Sequence, residues 1–465
     1  METIHSRILF ESESPLLNRL FQEAQRQCLD NVKDFAGRTV LIEGGGYHKI
    51  WLETQPMGGE MYAGRNMTAA LNNQLLFMEH QRGDGRLPGS IMLEAGKLIP
   101  QFNKFQGFCF PGPALNMYYW IGQNREYLKQ LQESLSRFDA YLWRVRDSDG
   151  DGCLESWCQY DTGEDNACRY GDAPNWWEAE TPPQGYAVVP MASMDFMSFS
   201  FSARDVLSKI SHILGDGQAD DWKARAETIR QKIIAYLWHE DRGACFDRDK
   251  HGHMMPTLVH NNLRCMYWCS FTQAMADRFV SEHLLNPHEF WTPMPLPSVA
   301  ANDPLFRNNP ENDWSGQPEG LTYQRAIFAL ENYGYDFLLP ALADKLFAAI
   351  GDRCHFTQQF DPFTGTTQSE KGGYGPTMLA ALGYIERLYG VGLHGATIHW
   401  GIRGGQDTDY TLEWGDRTYR LASDGQVATA TLGGKEVFRL DAGVRVITDY
   451  DGNVLRTVPL RMQGE

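Results

Sequence analysis

Apolar residues recur at helical spacing through most of the chain. Between positions 15 and 35 they fall at Leu16, Leu17, Leu20, Phe21 and Ala24, the rhythm of one buried helix face. The same period predicts helices over 61–81, 114–121, 124–145, 186–214, 220–237, 265–284, 319–333, 337–350 and 376–388, separated by Gly, Pro and Asp. Successive helices come in pairs. Pairs in this number predict a mainly α fold, an α/α toroid with inner and outer rings around a central pocket. No short-period repeat is visible, which argues against an open solenoid. Segments 39–60 and 86–98 are more strand-like, with a Gly44-Gly45-Gly46 turn, and predict small hairpins capping the pocket.

The pattern changes after Gly392. Short alternating runs at 397–400, 409–414, 417–421, 427–432, 437–440 and 444–449 are punctuated by Gly415-Asp416, Asp424-Gly425, Gly433-Gly434 and Asp451-Gly452. They predict a small C-terminal antiparallel β-domain over 393–465, sandwich-like, after a barrel of 1–392.

Composition narrows the function. The 465 residues carry 42 Lys+Arg against 59 Asp+Glu, a net charge of −17, which argues against nucleic acid or an anionic membrane as partner. No apolar run is long enough to span a bilayer, and METIHSRILF lacks the basic and apolar regions of a signal peptide. Nine scattered cysteines fit reduced thiols. A cytoplasmic protein is expected, and its oligomeric state is not legible. Cys265 and Cys269 are spaced like half a metal site, but no second pair follows, so they are assigned to the core and no metal is expected there.

Rings add a positive clue. The 13 Trp, 20 Tyr and 24 Phe exceed what a core alone suggests, and aromatic faces beside carboxylates are how proteins hold sugars. The densest such neighbourhood runs from Arg146 to Arg169. Asp147, Asp149 and Asp151 start like a calcium loop, yet Cys158 stands where an EF-hand needs a bidentate Glu. An Asp/Gly turn is the expectation, with a calcium site of another kind as the alternative and no other cofactor. Asp161, Glu164 and Asp165 then crowd three carboxylates into five residues, flanked by Trp143, Trp157, Tyr160, Tyr170, Trp176 and Trp177. If buried, at least one of them should have a raised pKa, as a general acid requires. Two carboxyl groups flanking a scissile bond are the machinery of glycoside hydrolysis.

Five segments in order resemble the family-63 glycoside hydrolases and related trehalases. Asp149-Gly-Asp-Gly-Cys-Leu-Glu155 with Asp161-Thr-Gly-Glu-Asp-Asn166 is similar to their DGDGL…E…SGxDN signature. Tyr47–Glu53 is similar to their aromatic/acidic substrate loop. Phe290–Ser298, Asn312–Gly316 and Phe356–Gly365 with Gly373-Tyr-Gly-Pro-Thr resemble their LPS, YWRGP and ExYxPxTG…FGWS segments. The resemblance covers most of 40–392. It implies an (α/α)6 barrel and an inverting, exo-acting α-glycosidase for a small gluco- or manno-configured glycoside, with Asp165 as general acid.

At the base the sequence departs from the pattern. The family's glutamate falls on Gln358, whose amide cannot accept a proton at neutral pH. Three readings stay open: an engineered Glu→Gln replacement that traps substrate, a base elsewhere such as Glu370 or Asp361, or a non-hydrolytic carbohydrate-binding relative. Expected substrate contacts are Trp51, Glu53, Gln55, Glu60, Arg65, Trp177, Trp314 and Gln317, with Arg82 and Arg86 at the rim. A sugar epimerase or isomerase on the same toroid is a further alternative, but the 13 His do not cluster with the acidic motifs.

Overall fold

The computed structural model describes residues 4–461. In chain order its helices are α1 (Pro15–Asp30), α2 (Gln55–Met61), α3 (Met67–Glu79), α4 (Pro111–Trp120), α5 (Arg125–Val145), α6 (Met194–Leu214), α7 (Ala219–Lys232), α8 (Asn261–Tyr267), α9 (Gln273–Phe279), α10 (Gly320–Asn332), α11 (Leu339–Ile350) and α12 (Gly375–Tyr389). Even and odd helices differ in burial, with α3 the mostly buried exception among the odd ones. All of α8 and nearly all of α12 is buried, whereas α1 buries one stripe: Leu17, Leu20, Phe21, Ala24 and Cys28. A helix apolar on every side belongs inside, and an amphipathic one outside.

Packing follows that division. α2 packs on α4, α4 on α6, α6 on α8, α8 on α10, α10 on α12, and α12 returns to α2, closing a ring of six. Outside it, α1 lies against α12, α3 against α2, α5 against α4 and α6, α7 against α6, and α11 against α10 and α12. This is the α/α toroid expected from the helix pairs, with the six-fold ring that the family resemblance implies.

Some boundaries differ from the sequence reading. The stretch expected as one helix over 265–284 breaks after Tyr267: Cys269 takes a left-handed φ of 60°, and Thr272 starts a new helix by accepting from the Met275 N–H. Likewise 61–81 divides at Asn66, whose side chain accepts from the Ala69 N–H at 3.0 Å. Residues 186–190 are loop and Met191–Ala192 pair with Glu155–Ser156, because α6 starts only at its cap, Ser193. The apolar period continues through all three places, so the caps decide.

Hairpins form at Ile50–Trp51 with Ser90–Glu94 and Lys97–Gln101, and at Arg38–Leu41 with Val32–Phe35, which the helical reading of 15–35 includes; Gln55–Glu60, expected to be strand-like, belong to α2. Near the C-terminus two antiparallel sheets assemble. Four strands run in the order Val391–His394, Thr397–Ile402, Val444–Thr448, Val454–Pro459. Five run in the order Ser6–Ser12, Asp407–Trp414, Arg417–Asp424, Val427–Leu432, Lys435–Asp441. The first strand of the chain thus pairs with Asp407–Trp414, seven residues in register from Ser6↔Trp414 to Ser12↔Thr408. Buried contacts tie these sheets to the barrel: Arg445 donates to Asp336 at 2.5 Å and Trp414 Nε1 to the Trp120 carbonyl at 2.9 Å.

The long connections that precede the inner helices all emerge at the helices' N-terminal end. That end carries the candidate chemistry.

Candidate active site

A chamber of about 210 Å³ lies there. The connection before α2 supplies Glu43, Tyr47, Trp51 and Glu53; the one before α4, Lys104 and Gln106; the one before α6, Tyr160, Gly163 and Asp165. The connection before α10 adds Asn312 and Trp314, and that before α12 adds Gln358 and Tyr374. A wider hollow of about 680 Å³ shares Tyr47, Asn312, Gln358 and Tyr374 with it. Trp51, Glu53, Asp165, Trp314 and Gln358 therefore meet in one place although they span most of the chain.

The three crowded carboxylates have separate environments. Burial would raise Asp161, but Arg146 ion-pairs with it at 2.6 Å and the Trp157 N–H donates at 2.9 Å, so it falls below the usual range. Burial opposes ionisation of Glu164 too. Arg169, Arg264 (3.1 Å) and His260 (2.8 Å) overcome it and hold the carboxyl well below its ordinary value. Asp165 has no such partner. Burial pushes it up, against the Asn312 donor and the Lys104 charge. Its Oδ2 accepts from Asn312 Nδ2 at 2.9 Å, and its Oδ1 has no partner of hydrogen-bond geometry. Of the three, only Asp165 borders the chamber and keeps its proton to higher pH.

Asn312 joins this residue to Gln358. Gln358 Nε2 donates to Asn312 Oδ1 at 2.8 Å, and Tyr47 OH donates to Gln358 Oε1 at 3.0 Å. Two bonds and one carboxamide thus keep the Asp165 and Gln358 side chains at most about 8 Å apart. Asn312 (φ 46°) and Asn166 (φ 60°) both adopt left-handed backbone, and Asn166 Nδ2 donates to the Asn312 carbonyl at 2.8 Å. Asparagine tolerates that region better than other non-glycine residues, and such conformations persist where surrounding bonds enforce them.

Glu53 forms the chamber floor. Arg325 ion-pairs with it at 2.8 Å, yet burial outweighs the cation and brings its carboxyl up to about 7. Gly163, at φ 74°, lies so close that a Cβ there would strike the Glu53 carboxylate. Lys104 spans the rings of Trp51 and Tyr160, 5.7 and 5.1 Å from their centroids, and burial lowers its pKa.

Other residues singled out in the sequence lie elsewhere. Gln55 is a buried brace at the start of α2, its Oε1 accepting from Trp51 N at 2.7 Å and Thr54 OH at 2.6 Å. Glu60 is at the far end of that short helix and borders a cavity of about 480 Å³ at the opposite mouth, hydrogen-bonded to Asn116 and Trp120. Arg65 donates to Gln25 at 3.0 Å and covers Phe21. Trp177 bonds to the Thr181 carbonyl at 2.8 Å, and Gln317 to Asn308 at 2.8 Å, neither bordering the chamber. Arg82 pairs with Asp84 and Glu180, and Arg86 is buried over Phe105. Of the alternative bases, Asp361 caps a turn through the Phe363 and Thr364 N–H groups, and Glu370 stands exposed on the outer hollow. Asp147, Asp149 and Asp151 converge with ligand atoms within 4.8 Å, but two of them are exposed and all three accept N–H groups of their own loop. What the sequence did not single out is Glu43, hidden beside a glycine turn, Lys104 and Gln106, and Asn312 as a link.

Residues 66–377 match the mannosylglycerate hydrolase MGH1-like glycoside hydrolase domain. The chain belongs to that family of glycoside hydrolases. No curated protein sequence matches it significantly. Its fold is similar to GH63 mannosylglycerate hydrolase from Thermus thermophilus, solved with glucose: 17% identity over 80% of this chain and 99% of that one, TM-score 0.62. The same enzyme is also solved with Tris and D-glycerate. Neutral trehalase Nth1 from Saccharomyces cerevisiae matches at 13% identity, 75% and 73% coverage and TM-score 0.58. A protein named sialidase matches at 13% identity over 96% of this chain and 41% of its own, TM-score 0.73. Among the described residues no helix is long and apolar enough to cross a membrane, and all nine cysteines are free thiols.

Proposed function

We propose that this family member is an inverting, exo-acting α-glycosidase for a small gluco- or manno-configured glycoside, with Asp165 as general acid. One observation carries the reading: Asp165 is the carboxyl of its cluster that borders the chamber without a cationic partner, and burial raises its pKa. A protonated carboxyl at the scissile oxygen is what departure of an alkoxide needs. The span of at most about 8 Å to position 358 is compatible with the gap that inverting enzymes leave for water.

Chamber size supports exo action. Its volume suits a single sugar ring, with the remainder of the substrate in the wider hollow. Lys104 at the edge would meet an acidic leaving group, in keeping with the D-glycerate seen in the Thermus relative. Both proton transfers fall to side chains, so this reading uses no cofactor, and the free thiols fit a cytoplasmic setting. Screening α-linked disaccharides and glycosyl-glycerates, with the anomer followed by NMR, tests it. The first-formed sugar should be the β anomer, and Asp165→Asn should abolish its release; an α product would refute inversion.

Gln358 supports a second reading, a carbohydrate-binding relative without turnover, which predicts calorimetric binding and no product even after Gln358→Glu. An epimerase finds less support: no histidine borders the chamber, and His260 is tied to Glu164 behind it.

A further inference from the structure

We propose that Glu43 is the general base of this enzyme, taking the proton of the attacking water that Gln358 cannot take. The inference rests on the glycosidase reading above and supplies its missing half.

Three carboxyl groups border the chamber: Glu43, Glu53 and Asp165. Asp165 is the acid. Glu53 is held by Arg325 and wedged against Gly163. Glu43 is the one left uncommitted. Its Oε1 accepts from Tyr374 OH at 3.0 Å, and among the described residues no cation lies within ion-pairing distance of it. Glu319 is also buried and lies against Gln358, but it is sealed from solvent and does not border the chamber.

Position agrees with the role. The ring of Tyr374, donor to Glu43, lies 6.2 Å from that of Tyr47, donor to Gln358, so Glu43 and Gln358 share one wall. Asp165 is reached from that wall through Asn312. The backbone of Glu43 is clamped: its carbonyl accepts from the Gly375 N–H at 2.7 Å, at the first turn of α12. Gly44, at φ 78°, makes the clamp possible, since a Cβ there would strike Asn31 and the Gly373 carbonyl. The role requires a water between Glu43 Oε2 and the second hydrogen of Gln358 Nε2, the first being given to Asn312. Gln358 then orients the nucleophile while Glu43 receives its proton.

The step balances. A water O–H bond breaks and its proton goes to Glu43, while the water oxygen bonds to the anomeric carbon. The bond from that carbon to the leaving oxygen breaks with its electron pair, and the leaving oxygen takes the proton of Asp165. Glu43 ends protonated and Asp165 ionised, and exchange with solvent restores both.

Glu43 faces Glu53, Asp165, Glu319, Tyr47, Tyr374 and, farther off, Arg325; burial and then the Glu53 charge hold its carboxyl well above the ordinary range, so the active form is the fraction of molecules in which Glu43 is ionised while Asp165 keeps its proton. The acid limb of kcat/KM should therefore lie above the value of about 4.3 typical of an exposed glutamate.

Glu43→Gln and Glu43→Ala, assayed on α-D-glucopyranosyl and α-D-mannopyranosyl fluoride, test the assignment. Glu43→Gln keeps an acceptor for Tyr374 and should fold as wild type by circular dichroism and Tm. Its kcat should fall by about 10²–10⁴-fold with KM little changed. Azide, which needs no base, should restore turnover to Glu43→Ala and yield the β-glycosyl azide. A folded Glu43→Gln variant with more than about a tenth of wild-type rate overturns the proposal, since a lost base costs far more. So does failure of azide rescue, or a gain in rate on Gln358→Glu, which would return the role to position 358. If Glu43 fails these tests while Asp165→Asn still abolishes disaccharide hydrolysis, the glycosidase reading stands alone. If the wild-type chain turns over neither fluoride nor any disaccharide, both fall.

Discussion

Asn312 Nδ2 donates to Asp165 Oδ2 at 2.9 Å, the one well-formed side-chain hydrogen bond on the proposed acid. A donor favours the ionised carboxylate, so Asn312 holds the Asp165 pKa lower than burial alone would set it. Asn312→Ala should move the alkaline limb of the kcat/KM profile to higher pH, because the acid stays protonated longer. It should also lower kcat/KM by about tenfold or more, the worth of one hydrogen bond to a charged group. A full pH–rate profile of the variant measures both. An unmoved alkaline limb would mean that another group sets it.

Gly163 is required by both backbone and neighbour. Gly163→Ala must adopt φ 74° and displace the Glu53 carboxylate. The backbone alone costs on the order of 1–2 kcal/mol. Tm should fall, and kcat/KM should fall further than an equally destabilising substitution outside the chamber, as Glu53 leaves its place. Calorimetry beside kinetics separates the two effects.

At the opposite mouth, burial raises the Glu60 carboxyl to about 7. The folded state therefore binds its proton more tightly than the unfolded state does. Its contribution to stability is fully present below about pH 4.5 and is lost as pH rises towards 7. Glu60→Gln keeps an acceptor for Asn116 and Trp120. It should flatten the decline of Tm across that window, by on the order of 1–3 kcal/mol relative to wild type, and leave kcat unchanged. An unchanged Tm profile would show that Glu60 ionises without cost.

The loop of Asp147, Asp149 and Asp151 is accounted for by its own turn bonds. Added calcium should leave Tm and activity as they are. A saturable rise in Tm that Asp149→Asn removes would instead make it a cation site.

How much was legible depends on where the deciding partner stands in the chain. α5 was readable to within one residue because its cap, Asn124, and its apolar stripe are adjacent in sequence. The break after Tyr267 was not, since the apolar pattern continues across Cys269 while the backbone reverses. The acidic cluster was visible, but which of its carboxyls stays protonated depends on Arg146, Arg169 and Arg264, whose approach no spacing reveals. Trp51, Glu53 and Trp314 reach the chamber because they lie in connections before inner helices. Glu60 and Arg65 are expected among the substrate contacts, yet the seven residues of α2 carry them to the other end of the ring. Glu43 escaped notice because a glycine turn separates it from the aromatic motif.

The pairing of Ser6–Ser12 with Asp407–Trp414 sets the order in which the molecule can be made. A ribosome releases the first strand about 400 residues before its partner, and closing so long a loop is slow. Throughout synthesis the strand exposes unsatisfied N–H and C=O groups beside Leu9, which stays on the surface even in the finished fold. A barrel cut off at Gly392 would keep that bare edge permanently and should self-associate. Removing Ser6–Ser12 as well should return it to solution.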